Sequence, residues 1–67
     1  MRYYVNRNAQ SNGDYEVHTE HCASLPAAEN LFPLGWFSNC AAAVKVAKAQ
    51  FATANGCYHC ARDCHTT

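Results

Sequence analysis

The sequence is poor in charge. Charged side chains make up 15% of its 67 residues, and five Lys/Arg are balanced by five Asp/Glu. Soluble domains typically carry ~25%. A zero balance leaves no basic footprint for phosphates or anionic lipid headgroups, so neither a nucleic acid nor a membrane is expected as partner. No apolar run approaches the ~20 residues of a membrane span. The opening run, Met1-Arg2-Tyr3-Tyr4-Val5-Asn6-Arg7, has no apolar stretch followed by a cleavage site, so the expected location is the cytoplasm.

What is present is 49% hydrophobic, which is a globular rather than a disordered composition. The chain reads as one small domain over residues 1–67. A domain of this size buries only ~60% of the surface its unfolded chain exposes. Such chains usually need a disulfide, a metal or a partner to hold them. Five cysteines and four histidines offer the means. In a reducing compartment a cysteine-rich pattern reads as metal-binding or catalytic before it reads as disulfides. Five is also odd, so full pairing within the chain would leave one thiol over.

Tyr3 and Val5 alternate with Tyr4 and Asn6, and Tyr15 and Val17 with Glu16 and His18. That is strand period. Asn12-Gly13 between them is a turn signal, since both residues accept positive φ. Residues 2–7 and 15–18 therefore predict a β-hairpin. Residues 19–38 read as irregular: Pro26 can open one helical turn through Ala27-Ala28-Glu29. Pro33 ends anything regular before it, leaving room for a short third strand at Leu34-Gly35-Trp36-Phe37. The clearest element spans residues 40–54. Ser38 or Asn39 can cap it, and Cys40, Val44, Ala47, Phe51 and Ala54 share one helical face. Asn55-Gly56 reads as its stop, with glycine in the left-handed conformation.

The chemistry sits at either end of that helix. His18-x3-Cys22 is followed, after a long gap, by Cys57-x2-Cys60. Zinc takes four borderline or soft donors in a tetrahedron, and Cys-x2-Cys brings two sulfurs from one tight turn onto one ion. Two such pairs would clip the hairpin to the helix. The expected cofactor is therefore Zn²⁺, held by His18, Cys22, Cys57 and Cys60. Cys40, on the apolar helix face, reads as a small buried hydrophobe. Cys64 has three open roles: fourth ligand in place of His18, disulfide partner of Cys40, or free thiol. His65 reads as a ligand or a neighbour of one, and His21 and His59 as solvated.

Three segments resemble a group of short, uncharacterised bacterial proteins: Glu16-Val17-His18 to Cys22-Ala23-Ser24-Leu25-Pro26, Leu34-Gly35-x-Phe37-x2-Cys40, and Gly56-Cys57-x2-Cys60-x3-Cys64-His65-Thr66. The ligand spacing more distantly resembles the zinc-binding domain of Ada-type DNA alkyl-damage repair proteins. Those carry Cys-x3-Cys after a β-element, then a helix, then Cys-x2-Cys. The resemblance implies a zinc-stapled scaffold. Its first ligand position, the methyl-accepting cysteine of that family, is His18 here, so alkyl transfer is not implied.

The fold expected is a small zinc-stapled α+β domain: a hairpin on one main helix, a zinc knuckle and a short helical tail. The function expected is structural zinc binding in a monomeric interaction module with a protein partner of unknown identity, and not an enzyme. Two alternatives stand beside it. One is a thiol redox or zinc-thiolate sensor that switches Cys40 and Cys64. The other is a disulfide-stapled exported miniprotein.

Overall fold

The computed structural model describes residues 1–66. Strands β1 (Arg2–Asn6) and β2 (Tyr15–Thr19) form the expected antiparallel hairpin, with Tyr3 opposite Thr19, Tyr4 opposite His18 and Val5 opposite Val17. The connecting loop closes through Gly13 N–H donating to the Gln10 carbonyl at 2.8 Å and Asp14 N–H to the Asn12 side chain at 2.9 Å. Gly13 has φ 91°, the left-handed region that the Asn-Gly signal implies.

After one 3-10 turn over Ala28–Asn30, near the single turn expected after Pro26, the chain forms β3 (Leu31–Trp36). This strand begins three residues earlier than expected and runs through Pro33. Proline is tolerated because β3 is an edge: the sheet order is β3-β1-β2-β4, so one side of β3 needs no ladder donor. Register shifts between Tyr3, opposite Gly35, and Tyr4, opposite Pro33, which leaves Leu34 as an extra residue. Gly35 takes φ 110° beside this bulge.

Helix α1 covers Cys40–Ala47 and is capped by Asn39, whose side chain accepts from Ala42 N–H at 3.1 Å. It is shorter than expected. After a tightened last turn the chain bends and enters β4 (Ala54–Gly56), which pairs in parallel with β2: Tyr15 with Ala54, Glu16 with Asn55, Val17 with Gly56. The helix-forming residues beyond Ala47 yield because Phe51 must pack between Tyr15 and Phe32, at ring-centroid distances of 4.8 and 5.9 Å. Tertiary packing overrides propensity there. Gly56 is likewise no left-handed helix stop: the glycines with positive φ are Gly13 and Gly35.

The core joins Tyr3, Val5 and Val17 of the hairpin to Ala43 and Ala47 of α1 and Ala54 of β4. Small residues on α1 let the helix sit close to the sheet. Strand alternation places Glu16 and His18 on the sheet face opposite Val17. A second 3-10 turn, Arg62–Cys64, forms the short tail. Among the described residues no helix is long and apolar enough to cross a membrane.

Candidate metal centre

All four expected ligands converge. One donor atom from each of His18, Cys22, Cys57 and Cys60 lies within 4.8 Å of the other three. His18 comes from the end of β2, and Cys22 from the turn that follows, which closes through Cys22 N–H to the Thr19 carbonyl at 3.2 Å. Cys57 follows β4 directly, and its N–H continues the parallel ladder to the Val17 carbonyl at 2.9 Å. Cys60 closes the next turn, where Ala61 N–H returns to the Cys57 carbonyl at 2.9 Å. The site is therefore built where the β2–β4 ladder ends, with His18 and Cys57 directly after its last pair, Val17 and Gly56, and Cys22 and Cys60 in the hydrogen-bonded turns that follow.

The spacing suits one tetrahedral ion. Zn–S and Zn–N bonds at tetrahedral angles place two sulfurs ~3.8 Å apart and a sulfur and a nitrogen ~3.6 Å apart. Cys22 Sγ and Cys57 Sγ are 4.0 Å apart, and Cys60 Sγ and His18 Nδ1 are 3.8 Å apart. Two backbone amides donate to the sulfurs: Thr19 N–H to Cys60 at 3.3 Å and Ser24 N–H to Cys22 at 3.4 Å. Such bonds favour the thiolate form and orient it.

The electrostatics ask for a cation. Burial pushes the Cys60 thiol up to about 12, with the neighbouring Cys22 and Cys57 sulfurs adding to the rise and Thr19 opposing it. At neutral pH the Cys60 sulfur becomes a thiolate only beside a positive charge, which a bound metal would supply. Burial, outweighing the pull of Glu16, holds the His18 imidazole below its ordinary 6.5. It is therefore neutral, with a lone pair to give. With Nδ1 as the donor to a metal beside Cys60, the ring proton would fall on Nε2, which lies 3.6 Å from Glu16 Oε1. That distance is long for a hydrogen bond, and Nε2 is buried with no other partner. A short approach of Glu16 would complete the carboxylate–histidine pair common behind metal ligands.

The other cysteines sort differently. Cys40 is not a free buried hydrophobe, as its helix face suggested; it forms a disulfide with Cys64 across a Cα–Cα distance of 6.2 Å. Cys64 thus takes the second of its three open roles and is not a metal ligand. His65 also stays out of the cluster: its Nδ1 lies 3.0 Å from the Gly56 carbonyl, and its ring meets Tyr58 edge-on. His21 is exposed, as expected. His59 is exposed too, beside the Tyr58 ring.

Glu16, the partner of His18, is not among the residues expected at the site. The signal was there, because residues two apart in a strand share a face. Gly56 is glycine for a reason of packing rather than of helix termination. A Cβ at that position would lie 2.6 Å from the Ala61 carbonyl oxygen and 2.8 Å from the Cys64 Cβ.

No protein-family model, curated protein or solved structure matches this chain.

Proposed function

We propose that the chain is a structural zinc-binding domain in which His18, Cys22, Cys57 and Cys60 hold one Zn²⁺. The observation that carries this reading is the convergence of all four donors within 4.8 Å from two ends of the chain. Soft thiolates with one imidazole, near tetrahedral spacing, suit zinc better than oxygen-seeking cations. Four protein donors leave no open position for water, which favours a structural over a catalytic role. Three thiolates and a neutral imidazole around a divalent ion leave one net negative charge at the centre. Added to a balanced chain, that disfavours nucleic acid, and we propose a protein partner bound by a monomeric module of the cytoplasm.

The test is native mass spectrometry beside denatured mass. One zinc per chain in the wild type, with much less in His18→Ala and Cys57→Ser, supports the reading. A wild-type chain that takes up well under one equivalent of added zinc overturns it.

A further inference from the structure

The cluster and the disulfide are neighbours in structure as well as in sequence. Consecutive hydrogen-bonded turns link them: Ala61 N–H to the Cys57 carbonyl and Cys64 N–H to the Ala61 carbonyl, both at 2.9 Å. Cys64 is also seated on the strand that presents a ligand. Its Cβ would come within 2.8 Å of any Cβ at position 56, the residue before Cys57. The disulfide then anchors this turn to the first residue of α1. A cavity of about 410 Å³ opens where these parts meet, and Asn39, Cys40, His59, Cys60 and Asp63 are in its wall. One half of the disulfide and one of the four donors thus face the same space. Cys40, Cys60 and Cys64 are each half-buried rather than sealed.

We infer that the Cys40–Cys64 disulfide is a redox clasp on the metal centre: opening it with a small thiol loosens the metal, and the bound metal in turn protects the disulfide from reduction. This rests on the zinc reading above. A thiolate attacks one sulfur of the pair, the S–S bond breaks and a mixed disulfide forms. A second thiol molecule attacks the small-molecule sulfur of this mixed disulfide and expels the protein's remaining sulfur as a thiolate, which takes up a proton. The protein gains two thiols, and the small thiol leaves as its own disulfide, with two electrons and two protons transferred to the protein. Reduction removes the covalent tie of residues 62–64 to α1 and leaves the turn that carries Cys60 held by hydrogen bonds alone, among them Ala61 N–H to the Cys57 carbonyl and Thr19 N–H to Cys60 Sγ. Coupling of two binding events is reciprocal, so each must strengthen the other by the same factor. In a reducing compartment, disulfides that do form are usually transient or sensing, which is the use proposed here.

Two measurements test this. In the first, zinc affinity is measured by competition with a chromogenic chelator for the disulfide-bonded wild type and for Cys40→Ser/Cys64→Ser. In the second, the wild type is equilibrated in reduced and oxidised glutathione with and without zinc. Thiols are trapped, and the Cys40–Cys64 peptide pair is quantified by mass. Typical couplings are about 5- to 150-fold. A zinc affinity at least fivefold higher with the disulfide, and a matching shift of the half-reduction ratio by zinc, supports the clasp. The glutathione measurement needs no variant, so it decides the matter even where the double variant does not fold. A shift below fivefold, with zinc still bound at one per chain, overturns the clasp and leaves the zinc reading standing. Failure of the oxidised wild type to bind zinc at all overturns both.

Discussion

Cys22 and Cys57 are 35 positions apart in the chain, yet their sulfurs stand 4.0 Å from each other. That separation is about twice a disulfide bond length and close to the edge of a metal tetrahedron. It divides the five cysteines into two kinds. Cys40 and Cys64 are bonded to each other, while Cys22, Cys57 and Cys60 are free thiols around His18. The odd cysteine count is thereby accounted for without a stray thiol.

With zinc bound, iodoacetamide should leave Cys22, Cys57 and Cys60 unmodified under native conditions. Chelation should expose all three, read as three added carbamidomethyl groups by mass. With oxidised glutathione present instead of the alkylator, the chelated protein should form a Cys22–Cys57 bond, which peptide mapping would find. Equal labelling with and without chelator would count against a metal at this centre.

Glu16→Gln should weaken zinc without abolishing it. The carboxylate sits behind His18 and holds no metal itself. Removing such partners costs roughly 10- to 100-fold in metal affinity. Competition with a chelator measures this directly. An unchanged affinity would reduce Glu16 to a surface residue.

Acid should release the metal and destabilise the fold together. The folded-state His18 lies below its ordinary 6.5 because burial disfavours the imidazolium. Between that ordinary value and the lower folded one, the unfolded chain binds a proton that the folded chain refuses. Stability is therefore present in full above about pH 6.5 and falls as pH drops through the folded value. Proton competition for three thiolates acts in the same direction. Zinc release followed with an indicator and Tm measured over pH 7.5 to 4.5 should fall in parallel. A Tm that is flat across that range would refute the link.

Gly56→Ala should damage the fold even though alanine adds one methyl group. The new Cβ would stand 2.6 Å from a backbone carbonyl, which cannot swing away as a flexible side chain would. Overpacking of this kind costs about 1–3 kcal/mol. Denaturant unfolding of the zinc-loaded protein would show it. Gly13→Ala, which has open space around it and only an unfavourable φ of 91°, should cost less, about 1 kcal/mol.

Cys40→Ser should cost more than loss of a small buried side chain. The bond it removes spans 24 positions. Closing a loop of that length in the unfolded chain is worth about 3–4 kcal/mol in the chain-entropy model. Zinc stoichiometry should remain one, because Cys40 lies outside the cluster. Chemical denaturation and metal analysis of the same sample check both statements.

The hairpin, the start of the helix and the two ligand pairs are local features, and the sequence by itself determined them. Tyr3, Val5 and Val17 show their strand period over a few residues. Asn39 sits where a cap belongs, and Cys57-x2-Cys60 places two sulfurs in one turn whatever lies elsewhere. The end of the helix, the strand Ala54–Gly56 and the partner of Cys40 were decided only in the tertiary structure. The run after Ala47 is rich in helix formers, but Phe51 gains more by packing between Tyr15 and Phe32 than by staying helical. The pairing of Ala54–Gly56 with Tyr15–Val17 joins segments nearly forty residues apart, and no periodicity within either announces it. Gly56 could be read from sequence as a helix stop because glycine serves both free backbone and close packing. Which of the two applies depends on what approaches it, here Ala61 and Cys64, and that is a property of the folded chain.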